Sequence, residues 1–185
     1  MTTSKAAAPG ALATVQEFVN TIDLEGGADS LDSPDSLATW LVEGGLLDPG
    51  DRLGEADLRR ALEVREGLRT LLQANAGHVV APGVAESLNA AARNARLVVR
   101  FSEDGSASLE PDAAGVEAAL GRLLGIVVGS MRDGSWARLK VCARDECRWA
   151  FYDHSKNRSG RWCVMEVCGN KEKARTYRRR HAHAG

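Results

Sequence analysis

Four cysteines constrain this chain more than anything else in it. Cys142 and Cys147 enclose four residues, Cys163 and Cys168 enclose four more, and a fifteen-residue spacer separates the pairs. No other cysteine occurs in the 185 residues. Two close pairs joined by a short spacer suit a tetrahedral zinc site, because each pair forms a knuckle and the spacer folds one onto the other. The usual knuckle encloses two residues, so a four-residue gap is the weaker signal alone; its duplication carries the reading. Two disulfides would need an oxidising compartment, to which nothing in the sequence points. Ordinary core thiols would not fall into two equally spaced pairs. The expectation is one structural zinc on Cys142, Cys147, Cys163 and Cys168, stapling a module too small to hold itself together.

Charge divides the chain at the same place. Residues 138–185 carry thirteen Lys and Arg against five Asp and Glu, a net +8, while the other 137 residues carry eleven against twenty, a net −9. A basic module on an acidic one implies different partners for the two halves, and a polyanion would be drawn to the basic end. Met1 to Val15 holds one lysine and no sustained apolar stretch, so no signal peptide is expected. No apolar run approaches the length of a membrane span. The default is a reducing cytoplasm.

The first 135 residues read as mainly helical. Leu12, Val15, Phe18, Val19 and Ile22 recur at helical spacing, predicting a helix to about Leu24 that Glu25-Gly26-Gly27 stops. Ser33-Pro34 is an N-cap followed by proline at the first helical position; Leu37, Trp40 and Leu41 form the stripe of a helix ending at Gly44-Gly45. The longest helix is expected over Glu55–Ala76, with Leu58, Ala61, Leu62, Leu68, Leu71 and Leu72 inward. Arg59, Arg60, Glu63, Arg65, Glu66 and Arg69 read as its solvated outer face, since opposite charges recur at i,i+4. Pro82 to Asn94 predicts another helix, and Leu97–Phe101 with Ser108–Glu110 a β-hairpin. Asp112 to Arg132 returns to helical period, although the β-branched Ile126-Val127-Val128 run weakens its end. Asp133-Gly134-Ser135 is the domain boundary.

Beyond it, Leu139–Val141 and Trp149–Tyr152 read as short strands, with Trp149, Phe151 and Trp162 as a miniature core. The final helix starts at Cys168-Gly169-Asn170, where backbone N–H groups favour a thiolate. At about 100° per residue, Ala174, Tyr177 and His181 share the sector expected to face the zinc. Lys171, Arg175, Arg178 and Arg179 fall on one flank, and Lys173 and Arg180 on another. The helix dipole alone accounts for cations at 178–180 but not for the net charge of the module. These six residues are the candidate nucleic-acid contacts, since phosphates reward such a surface by counterion release.

The run Cys142-Ala-Arg-Asp-Glu-Cys147-Arg-Trp-Ala-Phe151-Tyr-Asp153-His-Ser155, then Arg161-Trp162-Cys163-Val-Met165-Glu-Val-Cys168-Gly169-Asn170-Lys171, resembles a CGNR zinc finger. That family is named for the tetrapeptide at its last cysteine, which here reads CGNK. Lys171 keeps the arginine's charge but replaces a planar two-pronged donor with a point charge. Phe18-Val-Asn-Thr-Ile-Asp23 and Leu37-Ala-Thr-Trp-Leu41 with Gly45-Leu-Leu47 resemble the helical domain that commonly precedes this finger. Together the two stretches of resemblance cover nearly the whole chain. They imply a stress-related bacterial transcription regulator and favour DNA over RNA.

The reading is therefore an α+β protein. A helical domain with one β-hairpin, residues 1–135, serves as sensor or dimerisation domain. A treble-clef-like or ribbon-like four-cysteine zinc module, residues 136–185, ends in the basic helix. The function expected is zinc-dependent DNA binding and transcription regulation; the competing reading is a protein-interaction or RNA-binding module with a purely structural zinc. No catalytic residue is expected, because four thiolates close a zinc site and Asp153-His154-Ser155, as sequence neighbours, point apart. Asn20, Thr21 and Trp40 are the candidates for a small-effector pocket in the first domain, against a purely structural or homodimerising role.

Overall fold

The computed structural model of the chain describes residues 7–80 and 82–182, with the backbone alone for Arg180 and Ala182. Among the described residues, six α-helices and three two-stranded antiparallel sheets follow one another. Helix α1 (Leu12–Val19) buries Leu12, Val15, Phe18 and Val19. It stops at Val19 rather than Leu24, because Thr21 Oγ1 donates to the Phe18 carbonyl at 2.9 Å and the chain doubles back. The return is a small hairpin, β1 (Ile22–Asp23) against β2 (Ala28–Asp29). Its turn is held by the Asp23 carboxylate, which accepts from the Glu25 and Gly26 amides at 3.0 Å each. Gly27 takes the left-handed backbone that closes it.

Helix α2 (Pro34–Glu43) starts as its sequence implies. Ser33 Oγ accepts from the Ser36 amide while Ser36 Oγ accepts from the Ser33 amide, a reciprocal cap ahead of Pro34. Helix α3 (Glu55–Asn75) is the spine of the core, burying Leu58, Ala61, Val64, Leu68 and Leu72. Two residues assigned to its solvated face are buried as well: Arg65 and Arg69 are each 3% exposed. Arg65 forks onto Asp29, both bonds 2.7 Å, and also donates to Thr21 Oγ1 at 3.0 Å. Arg69 donates to the Val19 carbonyl, to the Arg148 carbonyl at 3.3 Å and to Glu66 at 2.9 Å. Buried guanidinium groups persist only when their donors are used, and here, Glu66 apart, the acceptors come from segments remote in sequence.

Helix α4 (Val84–Asn94), capped at Gly83, leads into β3 (Leu97–Phe101) and β4 (Ala107–Pro111), paired from Leu97↔Pro111 to Phe101↔Ala107. The hairpin lies on α5 (Gly115–Asp133), which continues unbroken through Ile126-Val127-Val128. Burial of Val127 on the core side outweighs the weak helical preference of that run. Gly134, with φ +80°, ends α5 one residue beyond the expected end of its helical period at Arg132.

The core does not stop there. Trp136, Leu139, Val141, Ala150 and Tyr152 belong to the same buried cluster as Phe18, Leu68 and Leu123. The strands β5 (Leu139–Val141) and β6 (Ala150–Tyr152), paired antiparallel, are buried at every position. The first half of the zinc module is thus packed into the helical domain's core. No helix among the described residues is long and apolar enough to cross a membrane.

Two glycines of α5 test the hairpin contact by opposite effects. A Cβ at Gly125 would lie 2.7 Å from the Leu109 carbonyl oxygen, whereas one at Gly129 meets nothing within 4 Å. Gly129→Ala should raise the thermal midpoint, since alanine gains up to about 1 kcal/mol in a helix interior. Gly125→Ala should lower it despite the same gain, because overpacking costs about 1–3 kcal/mol. Equal shifts in the two variants would show that the hairpin does not pack on α5 as described.

Candidate metal centre and the basic helix

The four cysteine sulfurs gather at one point. All lie within 4.8 Å of one another, and the Cys147–Cys163 and Cys163–Cys168 separations are both 3.7 Å. A zinc tetrahedron with bonds of about 2.3 Å has sulfur–sulfur edges of about 3.8 Å. A disulfide would require about 2.05 Å, and all four cysteines are free. Trp149 and Trp162 pack against the cluster as expected; Phe151 is buried but lies outside it.

Charge repulsion points the same way: four thiolates held this close and largely buried repel one another unless a cation lies between them. Four sulfurs this close ionise together only around a metal ion, and the protein holds one structural zinc on them.

The last cysteine and the three residues after it each have a separate task. Cys168 lies in a single π-type turn, Met165–Gly169, that runs into α6 (Asn170–Ala182). Gly169 is glycine for space: a Cβ there would strike Met165 and come within 3.1 Å of Trp162. Asn170 Nδ2 ties back to the Glu166 carbonyl at 2.9 Å. Lys171 Nζ donates to Glu25 Oε1 at 2.7 Å, across to the β1–β2 turn of the helical domain. Arg144 completes that contact, donating to both Glu25 oxygens at 2.8 and 2.6 Å while a third bond reaches Cys168 Sγ at 3.8 Å. The Arg144 and Lys171 cations hold the Glu25 carboxyl at about 2, below the usual carboxylate range.

A second ion pair organises the loop between the cysteine pairs. Lys140 and Asp153, both nearly fully buried, meet at 2.8 Å. Burial alone would raise the Asp153 pKa, but the Lys140 ammonium and the Ser155 and Gly160 N–H groups hold it far below its ordinary value. Asp153 is therefore a loop organiser, Ser155 Oγ accepts from the Ser159 amide, and His154 Nε2 lies against the Ala7 carbonyl.

The candidate nucleic-acid residues divide into two groups. Lys171 is engaged with Glu25, and Arg175 with Glu172 at 3.0 Å and Glu146 at 3.7 Å. Lys173, Arg178 and Arg179 are exposed and make no ion pair among the described residues. The side chain of Arg180 lies outside the described residues. The inward face expected for α6 is absent: Ala174 and His181 are exposed, and Tyr177, stacked on His181, is 63% exposed. The helix leaves the body after the π-type turn, its principal contact, so no sector returns to the zinc.

The polar residues considered for an effector pocket are otherwise occupied. Asn20 donates to the Ala150 carbonyl at 2.9 Å and accepts from its amide at 2.8 Å, imitating a strand at the edge of β6. Thr21 serves Phe18 and Arg65, and Trp40 packs on Phe18 with ring centroids 5.3 Å apart. Asn20 is used in the seam between helices and finger, and Thr21 within the helical domain.

A helical domain welded to a closed four-cysteine centre with a projecting basic helix defines a zinc-finger class of architecture. Residues 12–145 match the ABATE family model, described as a putative stress-induced transcription regulator, and residues 138–181 match the CGNR zinc finger. The chain belongs to the ABATE family and carries a CGNR zinc finger over residues 138–181. No curated protein matches it.

Metal analysis should return one zinc per chain, and Cys163→Ser should lose it. Arg144→Gln keeps all four ligands but removes the donor to Cys168 and the clamp on Glu25. In chelator competition its zinc affinity should fall by about 10–100-fold, the usual effect of losing a group that orients a ligand. Glu25→Gln, which leaves Arg144 in place, should cost less. Wild-type affinity in the Arg144 variant would show that the guanidinium does not support Cys168.

Proposed function

We propose that the protein is a DNA-binding transcription regulator whose zinc module presents α6 to the phosphate backbone. The link to stress response comes from the family description alone. One observation carries the reading: a thirteen-residue helix, polar all round, leaves the body with Lys173, Arg178 and Arg179 exposed and unpaired among the described residues. A helix of this length and polarity gains little from its own hydrogen bonds in water. Its cations would be completed by a polyanion, and releasing counterions from phosphate supplies the free energy. The dipole explains basic residues in the last turn but not Lys173 near the start. The acidic surface of the helical domain would keep that half off the duplex and aim the finger at it.

Lys171 has a different place in this proposal from the one its motif position suggests. Bound to Glu25, it anchors the foot of α6 to the helical domain, so phosphate contact falls to residues further along.

The test is duplex binding measured across a range of salt. Replacing Lys173, Arg178 and Arg179 with alanine should weaken binding to every sequence and flatten the log–log salt slope by about 0.9 for each phosphate no longer neutralised. Lys171→Ala should change the slope by less than that single step. A wild-type protein without salt-dependent duplex binding would sink the proposal and leave a protein partner as the better reading of α6.

A further inference from the structure

The unpaired cations of the zinc module form a second group, away from the exposed face of α6. Lys156, Arg158 and Arg161 stand on the loop between the cysteine pairs, exposed or at the rim of a cavity, and make no ion pair among the described residues. Asp153, which accepts from the Gly160 amide of this loop, is taken up by Lys140. A cavity of about 350 Å³ opens beside the loop, at the seam with the helical domain, and His78, Arg158, Ser159 and Arg161 line it. His78 comes from the segment after α3, so both halves of the protein contribute to its wall.

The loop is held in place. Lys140 Nζ donates to the Arg158 and Gly160 carbonyls, Asp153 accepts from the Ser155 and Gly160 amides, and the Ala143 amide bonds the Arg161 carbonyl at 2.9 Å. A Cβ at Gly160 would come within 2.8 Å of the Asp153 carboxylate, so only glycine lets the chain wrap that closely. Arg158 is fixed at φ +51°, a conformation a non-glycine residue keeps only where its surroundings impose it. Rigid placement of cations lowers the ordering cost of taking an anion.

The loop also meets the foot of α6. The Arg161 guanidinium lies 5.3 Å from the ring centre of Trp162, and that ring in turn packs against Gly169, one residue before α6. Two cationic elements joined through one tryptophan suit a ligand with regularly repeated charge. We propose that Arg158 and Arg161, with His78 lining the same cavity, form a phosphate seat for the nucleic-acid backbone, a second contact beside α6. This rests on the DNA-binding reading and assigns it a further set of residues. The chemistry recognised is a phosphate group, donated to by two guanidinium groups and an imidazole.

Two substitutions remove the charges with little risk to the fold. Arg158→Gly takes away a cation at a backbone angle that glycine prefers, and Arg161→Met keeps an aliphatic chain over Trp162. The double variant should retain its zinc and its helical circular dichroism. Its duplex salt slope should fall by up to about 1.8, and the α6 triple variant should show a separate, additive loss. In wild type the His78 ring resonances should shift when a short duplex is added. Inorganic phosphate at matched phosphate concentration should shift them far less.

A double variant with wild-type affinity and slope, beside a weakened α6 variant, overturns the seat and leaves the DNA reading standing. His78 responding to inorganic phosphate but not to duplex overturns it in favour of a free anion. A wild-type protein that binds no duplex overturns both.

Discussion

Everything in this structure depends on a seam of buried hydrogen bonds between the helices and the first half of the finger. A two-stranded sheet of three-residue strands has no stability of its own in water. Here β6 is bordered by Asn20, whose side-chain amide takes both the N–H and the carbonyl of Ala150. Gln16 adds a bond to the same carbonyl at 3.2 Å. Asn75 Nδ2 donates to the Trp136 and Leu139 carbonyls at 2.8 Å each, and Arg69 reaches Arg148 just after the first knuckle. Together these side chains bind backbone groups of the finger's buried strands and of the segments flanking them. The apolar faces of β5 and β6 can then join the helical core.

The second half of the finger is held differently. From Cys163 onward the chain buries little apolar surface, and its attachments include the zinc, Trp162 under Gly169, the Glu25–Arg144–Lys171 contact and the Arg175–Glu146 pair. Zinc is therefore the staple of the end that carries α6, while packing holds the end nearer the helices. The Glu25 contact brings one acidic side chain of the helical domain against two cations of the finger. Exposed ion pairs contribute about 0–1 kcal/mol; here Arg144 is buried although Glu25 is exposed, and the forked bond fixes direction as well as distance. It sets where α6 leaves the body, and so which cations face outward.

Much of this was legible in the sequence, for local reasons. The cysteine spacing, the Ser33-Pro34 cap, the β3–β4 hairpin and the stop at Gly134 are each written within a few neighbouring residues. What escaped depends on distant partners. Arg65 and Arg69 sit among glutamates at the spacing of a solvated helix face, and only the fold brings Asp29 and the Val19 carbonyl to them. Asn20 and Thr21 were recognisable as polar residues beside an apolar stripe. That Asn20 serves a strand 130 residues away was not. Tyr177 and His181 show the opposite failure: their shared sector implied an inward face, but periodicity cannot tell whether anything lies opposite. The Lys140–Asp153 pair carried no signal, because a buried ion pair at a thirteen-residue separation looks like two ordinary surface charges.

The central claim is that the finger has two anchors, the helical core for β5–β6 and zinc for residues 163–182. Amide hydrogen exchange of the intact protein, with and without a zinc chelator, tests it directly. Chelation should strip protection from residues 163–182 while the β5–β6 amides stay as protected as those of α3. If β5 and β6 lose protection together with the cysteine cluster, the finger is a separate unit and the account is wrong.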